Sequence, residues 1–262
     1  MTDLSMAAPN VTPLRRQNII AVASGKGGVG KTFFSITLSH CLARLGRRTL
    51  LFDGDLGLAN VDIQLGLMPK RDLGQVIEGG VALKDAATSY AAGGFDIIAG
   101  RSGSGNLANL PPQRLGQLRN DLADLSRLYD YVIVDLGAGL DRTVRTFSAP
   151  AGTTLVVTNE EPTAITDAYA FLKVTYQSNP NADLRVVVNL ADSKSAGEKT
   201  YQTVLMACQR FLKMSPPLAG VIRRDAKVRD AIRAQTPILT RSPGADAALD
   251  IEAIARSIMQ GA

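Results

Sequence analysis

Histidine and cysteine are almost missing from this chain, and long apolar runs are missing altogether. His40 is the sole histidine, and Cys41 and Cys208 are the only cysteines. A single imidazole on a helical stretch argues against chemistry that turns on a histidine base, so His40 is expected to be structural. Two distant cysteines, both within helical patterns, offer neither a disulfide framework nor the Cys-x-x-Cys spacing of a bridging metal cluster. Buried thiols in a reducing compartment are expected. Nowhere does the sequence approach the roughly 18 uninterrupted apolar residues of a membrane span, and its start carries no long apolar stretch. A soluble, cytoplasmic protein follows, with a peripheral position at the inner face of the membrane or the cell pole as the alternative. A long basic run is absent too. The net charge of +5 is spread over pairs such as Arg15-Arg16, Arg47-Arg48 and Lys70-Arg71, and is densest from Arg223 to Arg233. Solvated helix faces account for such pairs, which leaves nonspecific nucleic-acid or acidic-lipid contact as the less favoured reading.

What the chain does hold is apolar residues, 45% of the total, in short blocks that alternate between strand and helix. Strands are predicted near 48–52, 95–99, 131–135, 153–158, 184–189 and 218–222, beside a first at Asn18 to Ala23. Leu115, Leu118, Leu122, Leu125 and Leu128 form one stripe of a helix over 111–128. Further helices are expected over 163–177 and 199–212. The pattern is that of a single-domain α/β fold, a doubly wound, mostly parallel sheet with helices on both faces. Residues 1–17 read as a flexible arm, 18–262 as the domain, and 100–109 as a Gly/Ser loop.

The first strand runs into Gly25-Lys26-Gly27-Gly28-Val29-Gly30-Lys31-Thr32-Phe33. Glycines let backbone N–H groups curl round phosphate, Lys31 supplies charge, and the Thr32 hydroxyl suits Mg²⁺. The helix that follows adds its positive N-terminus. Lys26 has no task in a single site. It gains one if two sites face each other and Lys26 crosses to the partner's triphosphate, making an ATP-dependent homodimer.

Two acidic clusters complete the pattern. Asp53 and Asp55 follow the second strand, on the side where parallel-sheet sites open. Asp53 would hold the water shell of Mg²⁺ and Asp55 would orient the attacking water. Tyr131-Val-Ile-Val-Asp135 has the form of a Walker B strand whose carboxylate reaches the metal, and Gly137 and Gly139 can approach a γ-phosphate and relax when it leaves. Helix capping or a dimer contact is expected of Asp167.

With these motifs in place the chain resembles the deviant-Walker ATPases of the MinD/ParA family, on Lys26 to Thr32, Asp53 to Asn60 and Asp135 to Gly139. Within the family it looks most similar to the FlhG/FleN flagellar-number regulators, on Asp55 to Asp62, Gly100 to Gly105 and Glu161 to Ala170. The resemblance implies ATP/ADP and Mg²⁺ as cofactors, Lys26, Lys31 and Asp55 as the catalytic set, and Thr32, Asp53 and Asp135 at the metal. It implies base contacts from Asn189 and from the Arg223 to Asp225 segment, with Arg223 standing where relatives carry proline. A flagellar partner is implied, an FlhF-like GTPase or a transcription regulator, although no Asp-Gln-Ala activating triplet precedes residue 17. ParA-like partitioning and MinD-like division-site selection are the alternatives. The segment from Asp246 to Met259 has one basic residue, Arg256, and is expected to pack on the domain rather than target a membrane.

Overall fold

Parallel strands buried on both faces need continuous apolar runs, and Ile19–Ser24, here β1, is buried at all six positions. The computed structural model describes residues 18–101 and 110–261; the predicted arm and most of the Gly/Ser loop lie outside these. The other strands are β2 (Thr49–Gly54), β3 (Thr88–Tyr90), β4 (Phe95–Ile98), β5 (Tyr131–Ala138), β6 (Thr153–Thr158), β7 (Leu184–Ala191) and β8 (Leu218–Arg223). The helices are α1 (Lys31–Arg44), α2 (Val61–Leu65), α3 (Leu73–Ile77), α4 (Pro112–Ser126), α5 (Arg142–Ser148), α6 (Pro162–Ser178), α7 (Lys194–Leu212), α8 (Ala226–Arg233), α9 (Ile238–Arg241) and α10 (Asp246–Gln260). Among the described residues eight strands form one sheet in the order β3-β4-β2-β5-β1-β6-β7-β8, parallel except for β3 at one edge. The doubly wound expectation holds. β3 was not anticipated, because three half-exposed residues carry no periodicity.

Each face of the sheet has its own core. One gathers the buried sides of α4, α5, α6 and α7, among them Leu122, Phe147, Phe171 and Val204. The other packs α1 and α10 against the opposite face through Phe34, Leu38, Leu42, Ile251 and Ile254. A leucine buried in this way contributes about 2 kcal/mol over an exposed one. Leu115, Leu118, Leu122 and Leu125 point inward as expected. Leu128 does not. The helix ends at Ser126, the side-chain amide of Asn18 donates to the carbonyls of Ser126 and Tyr129 at 2.7 Å each, and the exit turn leaves Leu128 55% exposed.

α10 is packed, as its single basic residue suggested. Asp250 on its buried side accepts from the Arg223 guanidinium at 2.9 and 3.0 Å, from the Arg223 N–H at 2.9 Å and from Lys194 at 2.8 Å. The carboxylate sits below its ordinary range because these donors outweigh the cost of its burial, which is the largest single influence. Arg224 likewise faces Asp192 and Glu160. The basic segment from Arg223 onward therefore opens with two arginines already matched by carboxylates.

Both cysteines are free and buried, with their thiols pushed up to about 12 (Cys41) and about 11 (Cys208), chiefly by burial. His40 is buried on α1, 6.3 Å from the Phe95 ring, and its Nδ1 has no partner. Burial, and then Arg44, lower its pKa to about 4. A depressed histidine contributes stability that is present above the unfolded pKa and is lost as pH falls toward the folded one. Relative to His40→Leu, the natural chain should therefore lose about 2 kcal/mol between about pH 7.5 and about pH 5. Urea titrations of both proteins at the two pH values would show it, and parallel losses would contradict it. Carboxylates common to both chains cancel in the comparison.

Candidate functional site

In the loop between β1 and α1, two glycines sit where no larger residue fits. A β-carbon at Gly25 would collide with the main-chain carbonyl of Asp167 in α6, and one at Gly30 with the Asn189 side chain. Gly28 and Gly30 also have φ of 80° and 87°, in the left-handed region. The Ser24 hydroxyl donates to the Lys26 carbonyl at 2.6 Å, and Asn189 Nδ2 to the Val29 carbonyl at 2.8 Å. α1 then begins at Lys31 with no side-chain cap and no acidic residue in its first turn. Its open N–H groups and dipole are available to an anion.

Behind this loop lie two buried aspartates on neighbouring strands. Asp53 of β2 pairs in register with Asp135 of β5, and Asp135 with Val22 of β1. Burial, and next the Asp135 charge, raise Asp53 to about 8. Asp135 rises to about 6 through burial, opposed by a hydrogen bond from Thr32, by the Lys31 charge and by the Ser35 hydroxyl, which donates at 2.9 Å. Lys31 is buried as well. Desolvation lowers its pKa, while Asp135 and Asp55 counteract.

Asp53 shapes the segment after β2. Its Oδ2 accepts from the N–H groups of Asn60 and Val61 at 3.2 Å, and its Oδ1 from that of Asp55 at 3.3 Å. Asp55 in turn accepts from the N–H groups of Gly57 at 3.3 Å and Leu58 at 2.9 Å, and its carboxylate lies beside Gly137. The strand predicted to end near Asp135 continues as far as Ala138. The Gly139 N–H donates to the Ser24 carbonyl at 2.9 Å, fastening the end of β5 to the end of β1.

Between the loop, the Asp55 segment and the Gly137 segment opens a cleft of about 620 Å³ that is lined by Gly30, Lys31, Thr32, Asp55 and Gly137 among others, with Ile232 of α8 at its rim. Lys31, Thr32, Asp55, Asp135 and Gly137 are thus brought together as expected. Thr32 and Asp135 give hard oxygen donors beside one another, a set that fits Mg²⁺; the oxygens of Asp53 serve the backbone of the following segment. Four other residues of the sequence reading have their places outside this group. Asn189, read as a base ligand, supports the loop from beneath. Arg223 is bound to Asp250 and Asp246, and Asp225 caps α8 by accepting from the Lys227 N–H at 2.9 Å. Asp167 lies inside α6 and caps nothing. Ser35 was missed by sequence reading, although its position one helical turn beyond Lys31 was the available signal.

Lys26 does not line the cleft. Its ammonium donates to Glu161 Oε2 at 2.5 Å and to Thr163 Oγ1 at 2.8 Å, at the start of α6.

A glycine loop joining a parallel strand to a helix, with a Walker B aspartate on the strand alongside, defines a P-loop nucleotide-binding protein. Residues 20–238 match the family described as the CobQ/CobB/MinD/ParA nucleotide binding domain, and the chain belongs to that family as an ATPase of its MinD/ParA branch. It is 39% identical to the antiactivator FleN of Pseudomonas aeruginosa over 92% of this chain and 85% of the relative. It is 31% identical to the flagellum site-determining protein YlxH of Helicobacter pylori over 82% and 72% of the two chains. Among solved structures, the cell division ATPase MinD of Pyrococcus furiosus superposes with a TM-score of 0.78 at 25% identity, covering 94% of this chain and all of that one.

Proposed function

We propose that this protein is an ATP-controlled monomer–dimer switch that regulates the number or placement of flagella, acting through a flagellar transcription regulator or assembly partner. The observation that carries the switch is the position of Lys26, a cation of the phosphate loop whose partly exposed ammonium stands outside its own cleft, against the start of α6. The flagellar setting is supported by the similarity to FleN and YlxH.

Bound MgATP supplies the phosphoanhydride that is cleaved. The chain's residues do the rest. Backbone N–H groups from Gly27 to Lys31 cradle the β-phosphate, and Lys31 balances charge that builds as the γ-phosphoryl departs. Thr32 and Asp135 would hold the cation, which would offset charge on the phosphates. Asp55, at the cleft wall beside Gly137, orients the attacking water and takes its proton. Lys26 of each subunit approaches the other's triphosphate, so loss of the γ-phosphate weakens the cross-subunit attraction and the dimer parts. Turnover is slow without a partner, because the described cleft offers no arginine finger.

With a non-hydrolysable ATP analogue and Mg²⁺ the full chain should double in mass by sedimentation velocity, and with ADP it should stay monomeric. A monomer under saturating analogue would reject the switch. Flagellar counts in a deletion strain test the setting separately.

A further inference from the structure

The ammonium of Lys26 rests in a built receptor. Glu161 is fixed from behind: its N–H donates to Asn159 Oδ1 at 3.1 Å, and Asn159 Nδ2 reaches its Oε1 at 3.4 Å. Asn159 is buried, and Pro162 at the first position of α6 fixes the backbone of the turn. Thr163, one residue further on, supplies the second acceptor. The hydrogen bond and charge of Lys26 hold the Glu161 carboxyl below its ordinary range. Glu161 is the N-cap residue of α6, where its carbonyl accepts from the Ile165 N–H at 3.1 Å, but its side chain makes no cap and is left to the lysine.

We propose that Glu161 and Thr163 are positioning residues that hold Lys26 on its own chain until a partner's triphosphate takes it. The inference rests on the reading of Lys26 as the cross-subunit lysine, and concerns how that lysine is regulated. One ammonium is contested by two anions. The carboxylate is single-charged, partly solvated and always present, whereas the triphosphate carries more charge and arrives only with a nucleotide-loaded partner. The holding contact therefore sets the threshold at which subunits join, and dimerisation has to break two such ion pairs, one in each subunit. It also shields the lysine, since two nucleotide-free subunits would otherwise meet with bare cations face to face.

Two measurements on the full chain test this. Acetylation of Lys26 by an amine-reactive ester, followed by peptide mass spectrometry on the nucleotide-free monomer, should quicken severalfold in Glu161→Gln and less in Thr163→Val. An unchanged rate in Glu161→Gln would overturn the holding site. With the ATP analogue and Mg²⁺, the protein concentration at half-dimerisation should fall roughly three- to tenfold in Glu161→Gln, the scale of two exposed ion pairs. A threshold that stays put or rises would mean that Glu161 aids or ignores the dimer, and the proposal would fail. The parent reading fails differently: the natural chain would stay monomeric with the analogue, while the acetylation rates would still decide whether Glu161 holds the lysine.

Discussion

Asp55→Asn is expected to slow ATP turnover roughly 10²- to 10³-fold, the usual worth of a positioned proton acceptor, while ATP binding and dimerisation survive. Asp55 lines the cleft where a γ-phosphate would be approached, and it also holds its own segment through the N–H groups of Gly57 and Leu58. Asparagine keeps one acceptor oxygen and the same volume, so the turn persists and the basic oxygen is lost. Single-turnover phosphate release, read beside sedimentation of the same sample, separates the two effects. Parental turnover would remove Asp55 from the chemistry. If binding were lost as well, Asp55 would have to be a structural residue first.

Lys26→Ala should do the reverse of this, abolishing nucleotide-dependent dimerisation at concentrations where the natural chain is fully dimeric, with ATP affinity kept within a few-fold. The reason is positional. Lys31, Thr32 and the loop N–H groups remain in the cleft, and Lys26 contributes nothing to its lining. In the proposed dimer its removal would delete two cations from an interface that brings two triphosphates together, leaving like charges opposed in a poorly hydrated space. Fluorescent-nucleotide binding and sedimentation, run in parallel, decide the matter. A Lys26→Ala chain that dimerised normally would end the cross-subunit assignment, and a chain that lost ATP binding would place the lysine in its own cleft.

Much of this was legible in the sequence, because some residues can do only one thing in their context. An apolar strand, a glycine loop and a helix in that order define the phosphate end of the cleft, and Asp135, after the apolar run Tyr131-Val-Ile-Val, lies buried behind it. What stayed hidden depends on tertiary geometry. Asn189 ends the apolar run of β7 in the place expected for a base contact, and its amide donates to the Val29 carbonyl, a contact that a separation of 160 positions conceals. Leu128 follows its helical stripe in sequence but lies past the exit turn that Asn18 ties down. α7 begins five residues before the reading placed it, because Ser193 caps it by accepting from the Ala196 N–H and because Gly197, which weakens a helix, is there to admit Val221. The holding of Lys26 by Glu161 was likewise invisible, since nothing in either motif names the other.

Gly25, finally, is where the backbone of α6 comes to rest on the phosphate loop, at the main-chain carbonyl of Asp167. The same helix presents Glu161 and Thr163 at its front end. α6 therefore works as a beam that bears on the phosphate loop at one point and on the Lys26 ammonium at another. Any load that tips it would reach the loop and the lysine in a single motion.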